Sequence, residues 1–109
     1  MKIRLGDIAH ARSGDKGASA NVGVIANTPA DYSTLEKFLT AAAVEAFFKP
    51  LQVGQVIRHE LPNLGALNFI LPNILNGGGS VSLRTDAQGK ALGQALLELQ
   101  LQITDSDPQ

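Results

Sequence analysis

The chain has 109 residues, no cysteine, and a formal net charge of −1. That length is one domain, and the cysteine count excludes disulfides, thiolate metal sites and a cysteine nucleophile. Hydrophobic residues at 44% argue against disorder, while charged residues at only 17% leave surface for another chain to cover. The charge balance advertises no basic face for nucleic acid. The N-terminal segment has no apolar signal core and no apolar run reaches the ~18–20 residues of a membrane span. The expectation is a cytoplasmic protein with no membrane or nucleic-acid partner.

Ile3 and Leu5 alternate with Lys2 and Arg4, which predicts a short strand over 2–9. The polar, glycine-bearing stretch from His10 to Gly17 reads as a loop. Residues 20–27 read as a buried strand, with Val22, Val24 and Ala26 facing one way and Gly23 and Ile25 the other. Thr28-Pro29-Ala30-Asp31 is a helix start, because threonine caps, proline suits the first turn and an acid complements free N–H groups. Leu35, Phe38, Leu39, Ala42, Ala43, Ala46 and Phe47 keep helical spacing, with a possible break at Thr40 and an end at Pro50.

Residues 53–61 predict a strand with Val53, Ile57 and Leu61 on one face and Val56, Arg58 and Glu60 on the other. Pro62-Asn63-Leu64-Gly65 is turn chemistry. Leu67, Phe69 and Leu71 alternate with Asn68 and Ile70 in a further strand over 66–71. Pro72 and Gly77–Gly79 mark a loop. Thr85 and Gln88 have capping-box spacing for a helix through about Leu96, after which Leu97, Leu99, Leu101 and Ile103 switch to period 2. Residues 1–104 form the domain and 105–109 a polar tail. From residue 20 the order is βαββαβ, so the expected fold is α+β, a ferredoxin-like antiparallel sheet with helices on one face and an extra N-terminal strand. Leu35, Phe38, Leu67, Phe69 and Leu92 are the expected core. Ile25, Val56 and Ile70 are expected on the uncovered face, where they predict a homo-oligomer.

The densest polar cluster is His10, Arg12, Ser13, Asp15, Lys16 and Asn21, interleaved with Gly14 and Gly17. Two cations against one carboxylate leave a positive charge for an anionic small molecule, with arginine as a bidentate clamp. Asn63, Asn68 and Arg84 are weaker candidates for its rim. The alternative is a structural knot in which Asp15 satisfies Arg12 and Lys16 internally. No Walker or dinucleotide glycine motif exists here. Asp7, His10 and Ser13 have no spacing that identifies a triad. Two histidines without a close acidic pair indicate no metal, and His59 reads as a packed or rim residue. No cofactor is expected, and no catalytic residue is identified.

His10-Ala11-Arg12-Ser13-Gly14-Asp15-Lys16-Gly17, Asn21 to Ala26, Glu60 to Phe69, Gly77–Gly79 and Asp86 to Leu92 follow one another in an order that resembles the C-terminal domain of the acyclic terpene utilisation protein A (AtuA-like) family. The resemblance spans about residues 3–103. It implies a ferredoxin-like domain and a link to bacterial breakdown of terpenoid or branched acids through acyl-CoA intermediates. Family members usually carry a large α/β domain ahead of this one, so it also implies a separate large subunit. Two readings stay open: a non-catalytic accessory subunit, or a contributor of ligand-binding or catalytic residues from segment 10–21 to a shared active site.

Overall fold

The computed structural model describes residues 1–16, 19–74 and 90–103. Strands β1 (Lys2–Arg4), β2 (Ala9–Lys16) and β3 (Ser19–Ala26) precede helices α1 (Pro29–Phe38) and α2 (Ala41–Phe47). Strands β4 (Ile57–Leu61) and β5 (Ala66–Leu71), helix α3 (Lys90–Leu96) and strand β6 (Gln100–Gln102) follow. The main sheet is antiparallel in the order β2-β3-β5-β4, and β1 pairs with β6 in a separate two-stranded sheet. This is the expected α+β, ferredoxin-like class.

The helices lie on one face, α1 over β3 and β5 and α3 over β2 and β3. Val22 and Val24 of β3 and Leu67, Phe69 and Leu71 of β5 point into that layer, where they bury against Leu35, Leu39, Leu92 and Leu96. Phe38 packs half-buried against the same core. The helical break falls where Thr40 permits it. Leu39 ends α1, and the Thr40 hydroxyl accepts from the Ala43 N–H at 3.0 Å, just as Thr28 accepts from Asp31 at 3.0 Å to start α1.

Four expectations are corrected. The segment from His10 is not a loop but most of β2, paired residue by residue with β3 from Ala9↔Ala26 to Lys16↔Ser19. Its alternation sets Ala9, Ala11 and Ser13 against His10, Arg12 and Gly14, which carries no strong hydropathy period. The expected 2–9 strand is confined to Lys2–Arg4, because Leu5–Asp7 winds into a 3-10 turn with Leu5 buried. The expected 53–61 strand is confined to Ile57–Leu61, and its faces are reversed. Val56 is buried, with its N–H donating to Glu45 Oε1 at 2.9 Å, while Ile57 and Leu61 are 48% and 39% exposed.

Arg58 explains the reversal. It turns toward the helices and donates from Nη1 to the carbonyls of Glu36 (3.1 Å) and Leu39 (2.9 Å), and from Nη2 to Glu60 Oε2. A guanidinium at a helix C-terminus satisfies free carbonyls and meets the negative end of the helix dipole. A cation therefore takes the place that hydropathy assigns to isoleucine. The final strand is shorter than its period-2 run. The backbone of Leu97 and Leu99 instead accepts from Gly6 (2.8 Å) and Leu5 (2.8 Å), which ties this segment to the N-terminus. Gly17, the Gly77–Gly79 loop, the Thr85–Gln88 cap, Arg84 and the 105–109 tail lie outside the described residues.

Candidate functional site

Alternation along the main sheet divides each strand between a helix-covered face and an open one. The register then lines up the open-face positions in rows. One row is His10, Ile25, Ala66 and Leu61; the next is Arg12, Gly23, Asn68 and His59; a third is Gly14, Asn21, Ile70 and Ile57. Four sequence-predicted residues, His10, Arg12, Asn21 and Asn68, thus share one surface.

The middle of that surface is held by one side-chain bond. Asn21 Nδ2 donates to Asn68 Oδ1 at 3.3 Å. Two glycines surround the pair and leave the sheet floor bare. A Cβ on Gly14 would sit 3.4 Å from Asn21 Oδ1, and one on Gly23 would sit 3.8 Å from Asn68 Oδ1. The result is a shallow concavity of about 360 Å³, with Arg12 and the asparagines at one side and Ile25, Leu61, Leu64 and Ala66 at the other. Arg12 is exposed, and no described carboxylate forms an ion pair with it. Its guanidinium is available for a bidentate contact. His10 is exposed, with Nδ1 3.5 Å from Asn27 Oδ1.

Ser13 and Asn63 are placed differently. Ser13 alternates onto the helix face, where its hydroxyl accepts from the Gly93 N–H at 3.2 Å and seats α3 against β2. The backbones of Asp15 and Lys16 pair with Ala20 and Ser19. Asn63 sits in the 3-10 turn Pro62–Leu64 and lines a second concavity of about 350 Å³ at the start of α1, with Asn27, Thr28 and Tyr32. The Tyr32 hydroxyl is enclosed and has no hydrogen-bond partner among the described residues. Burial pushes its pKa up from the ordinary 10.0; the carboxylates of Glu36 and Glu60 add to the rise, and Arg58 opposes it.

His59 was not among the expected site residues. The Pro62–Gly65 turn sets Leu61 against Ala66, which puts His59 directly beside Asn68 on the open face. The signal was present in the sequence as the turn chemistry and its length, from which the pairing of 59 with 68 follows by counting. Among the described residues no group of histidine and carboxylate side chains is arranged to hold a metal ion, and no helix is long and apolar enough to cross a membrane.

The model of the AtuA ferredoxin-like domain matches residues 3–102. The chain belongs to that family. The matched span takes in every described strand of the main sheet. Comparison with curated proteins and with solved structures returned no match.

Proposed function

We propose that this AtuA-family chain is a non-catalytic accessory module in the catabolism of terpenoid or branched acyl-CoA compounds. It assembles with itself and with a separate large subunit, and its open sheet face holds the carboxylate or phosphate end of an acyl ligand. The observation that carries this reading is the two-sided concavity over Gly14 and Gly23. Arg12, Asn21 and Asn68 offer charge-assisted and amide hydrogen bonds at one side. Ile25, Leu61 and Leu64 offer apolar surface at the other. An amphipathic acid needs both, and a free phosphate or sugar would have no use for the second. The non-catalytic assignment is supported by the strand's alternation. His10 and Ser13 emerge on opposite faces of β2, so they are not placed to act as base and nucleophile.

The test is a thermal-shift titration of phosphate, a short branched carboxylic acid and a branched acyl-CoA against wild type, Arg12→Ala and Gly23→Val. The last variant fills the floor where the nearest atoms to a new Cβ are 3.8 Å away, so the fold accepts the first added carbon. The acid and the acyl-CoA are expected to stabilise wild type, by roughly 2.7 kcal/mol at 100-fold the dissociation constant. Both variants are expected to lose that gain. If no anion moves the wild-type midpoint, while Arg12→Ala alone lowers it, the cluster is structural and the proposal fails.

A further inference from the structure

We infer that two copies of the chain join through the outer edge of β4, the strands running antiparallel about a two-fold axis at His59. The main sheets of the two copies then become one continuous sheet. This deepens the self-assembly part of the reading above.

Strand β4 ends the sheet order, and among the described residues it is hydrogen-bonded on one side only, to β5. Such an edge is a template for another strand unless proline, a bulge or a misplaced charge blunts it. The five residues Ile57-Arg58-His59-Glu60-Leu61 contain no proline, their two helix-side charges, Arg58 and Glu60, neutralise each other, and the edge exposes Ile57 and Leu61 at 48% and 39%.

The sequence of the strand is complementary to itself when reversed. With His59 opposite His59 of the second copy, Ile57 faces Leu61 and Arg58 faces Glu60. Both charged pairs lie on the helix-covered side and both apolar pairs on the open side, so each copy keeps its layers on the same sides. Neighbouring registers lack this property. A slip by two residues in one direction sets Arg58 against Arg58, and in the other it sets Glu60 against Glu60; like charges directly opposite are destabilising. A slip by one residue sets a helix-facing position against an open-face one and throws the two helical layers to opposite sides. Within this short strand, one register therefore matches charge, hydropathy and layering together.

The join also gives the exposed side chains a neighbour. Ile25, Ala66 and Leu61 share a row, and so do Ile57 and Ile70. Across the axis these rows run into one another, making an apolar stripe on each side of the paired histidines. The two concavities end on the same face of the joined sheet.

The chain has no cysteine, so a single introduced thiol reports the register. Directly opposed residues in an antiparallel pair have Cα atoms ~4.5–5.5 Å apart, within the range a disulfide spans. Wild type is expected to sediment as a dimer at micromolar concentration. Under a glutathione redox buffer His59→Cys is expected to form a covalent dimer. Leu61→Cys alone is expected not to, because its own copy lies four residues away along the strand, about 13 Å. An equimolar mixture of Ile57→Cys and Leu61→Cys is expected to cross-link as a mixed pair. Ile57→Lys is expected to weaken the dimer at least tenfold while its far-UV circular dichroism stays that of wild type. A monomer in sedimentation overturns the inference. A dimer in which His59→Cys cross-links no faster than Leu61→Cys also overturns it, and leaves self-assembly through another surface standing.

Discussion

Tyr32 carries a polar atom that the fold encloses without a partner. A buried hydroxyl left unsatisfied costs free energy that a hydrogen at the same place does not. Tyr32→Phe is therefore expected to leave stability at neutral pH unchanged or to raise it by up to about 1 kcal/mol in urea denaturation. The same residue has a signature in alkali. Its folded-state pKa is raised above 10.0, so the folded state holds the proton more tightly than the unfolded chain does. Its contribution is full below about pH 10 and is lost as pH rises through the folded value. Wild type is expected to lose stability more steeply above pH 10 than Tyr32→Phe; parallel curves would contradict the assignment. Phe69 is the opposite kind of residue, fully buried on β5 at the centre of the core. Phe69→Ala is expected to cost ~3–5 kcal/mol, the usual range for a truncated core aromatic. An unchanged urea midpoint would show that the helix-facing side of β5 is misplaced.

Helix α3 and strand β2 meet at Gly93. A Cβ there would touch Ala11 Cβ at 3.4 Å and stand 3.1 Å from Ser13 Oγ, the second closer than packed side chains ordinarily stand. Gly93→Val is expected to destabilise by ~1–3 kcal/mol through overpacking, read as a shift in the denaturation midpoint. Wild-type stability in that variant would mean that α3 does not sit this close to the sheet. Elements with a strong period were legible in advance. Leu67, Phe69 and Leu71 announced β5, and the Thr28 and Thr40 caps announced where both helices start. What was hidden had a physical cause each time. Strand β2 alternates alanine and serine against histidine, arginine and glycine, so its period carries little hydropathy contrast. The faces of β4 are decided by Arg58 bonding to the end of α1, a tertiary contact that no local pattern contains. Of the residues expected at the candidate site, His10, Arg12, Asn21 and Asn68 lie on one face, a grouping that residue type alone suggests. Ser13 belongs to the same cluster only if the segment is a loop, which has no faces; a strand sends residues 10 and 13 to opposite sides.

At the scale of the whole molecule, the N-terminal segment changes the expected sheet. In a plain βαββαβ arrangement the final strand lies beside the first. Here β2 takes that place against β3, and β6 pairs with β1 through Lys2↔Gln102, Ile3↔Leu101 and Arg4↔Gln100. The polar segment from His10 to Lys16 is thereby built into the sheet as an edge strand rather than left on a loop. That placement is what sets Arg12 in a row with Gly23, Asn68 and His59, and it gives the open face both its cation and its bare floor. We propose this face, and not the helical layer, as the working surface of the molecule. The most direct measurement is a titration of the 15N-labelled protein with a short branched carboxylic acid, followed by amide chemical-shift changes. The predicted result is saturable shifts at Arg12, Gly14, Gly23 and the side-chain amides of Asn21 and Asn68, with α1 and α3 unmoved. Shifts confined to the helices, or none at any residue of the open face, would contradict it.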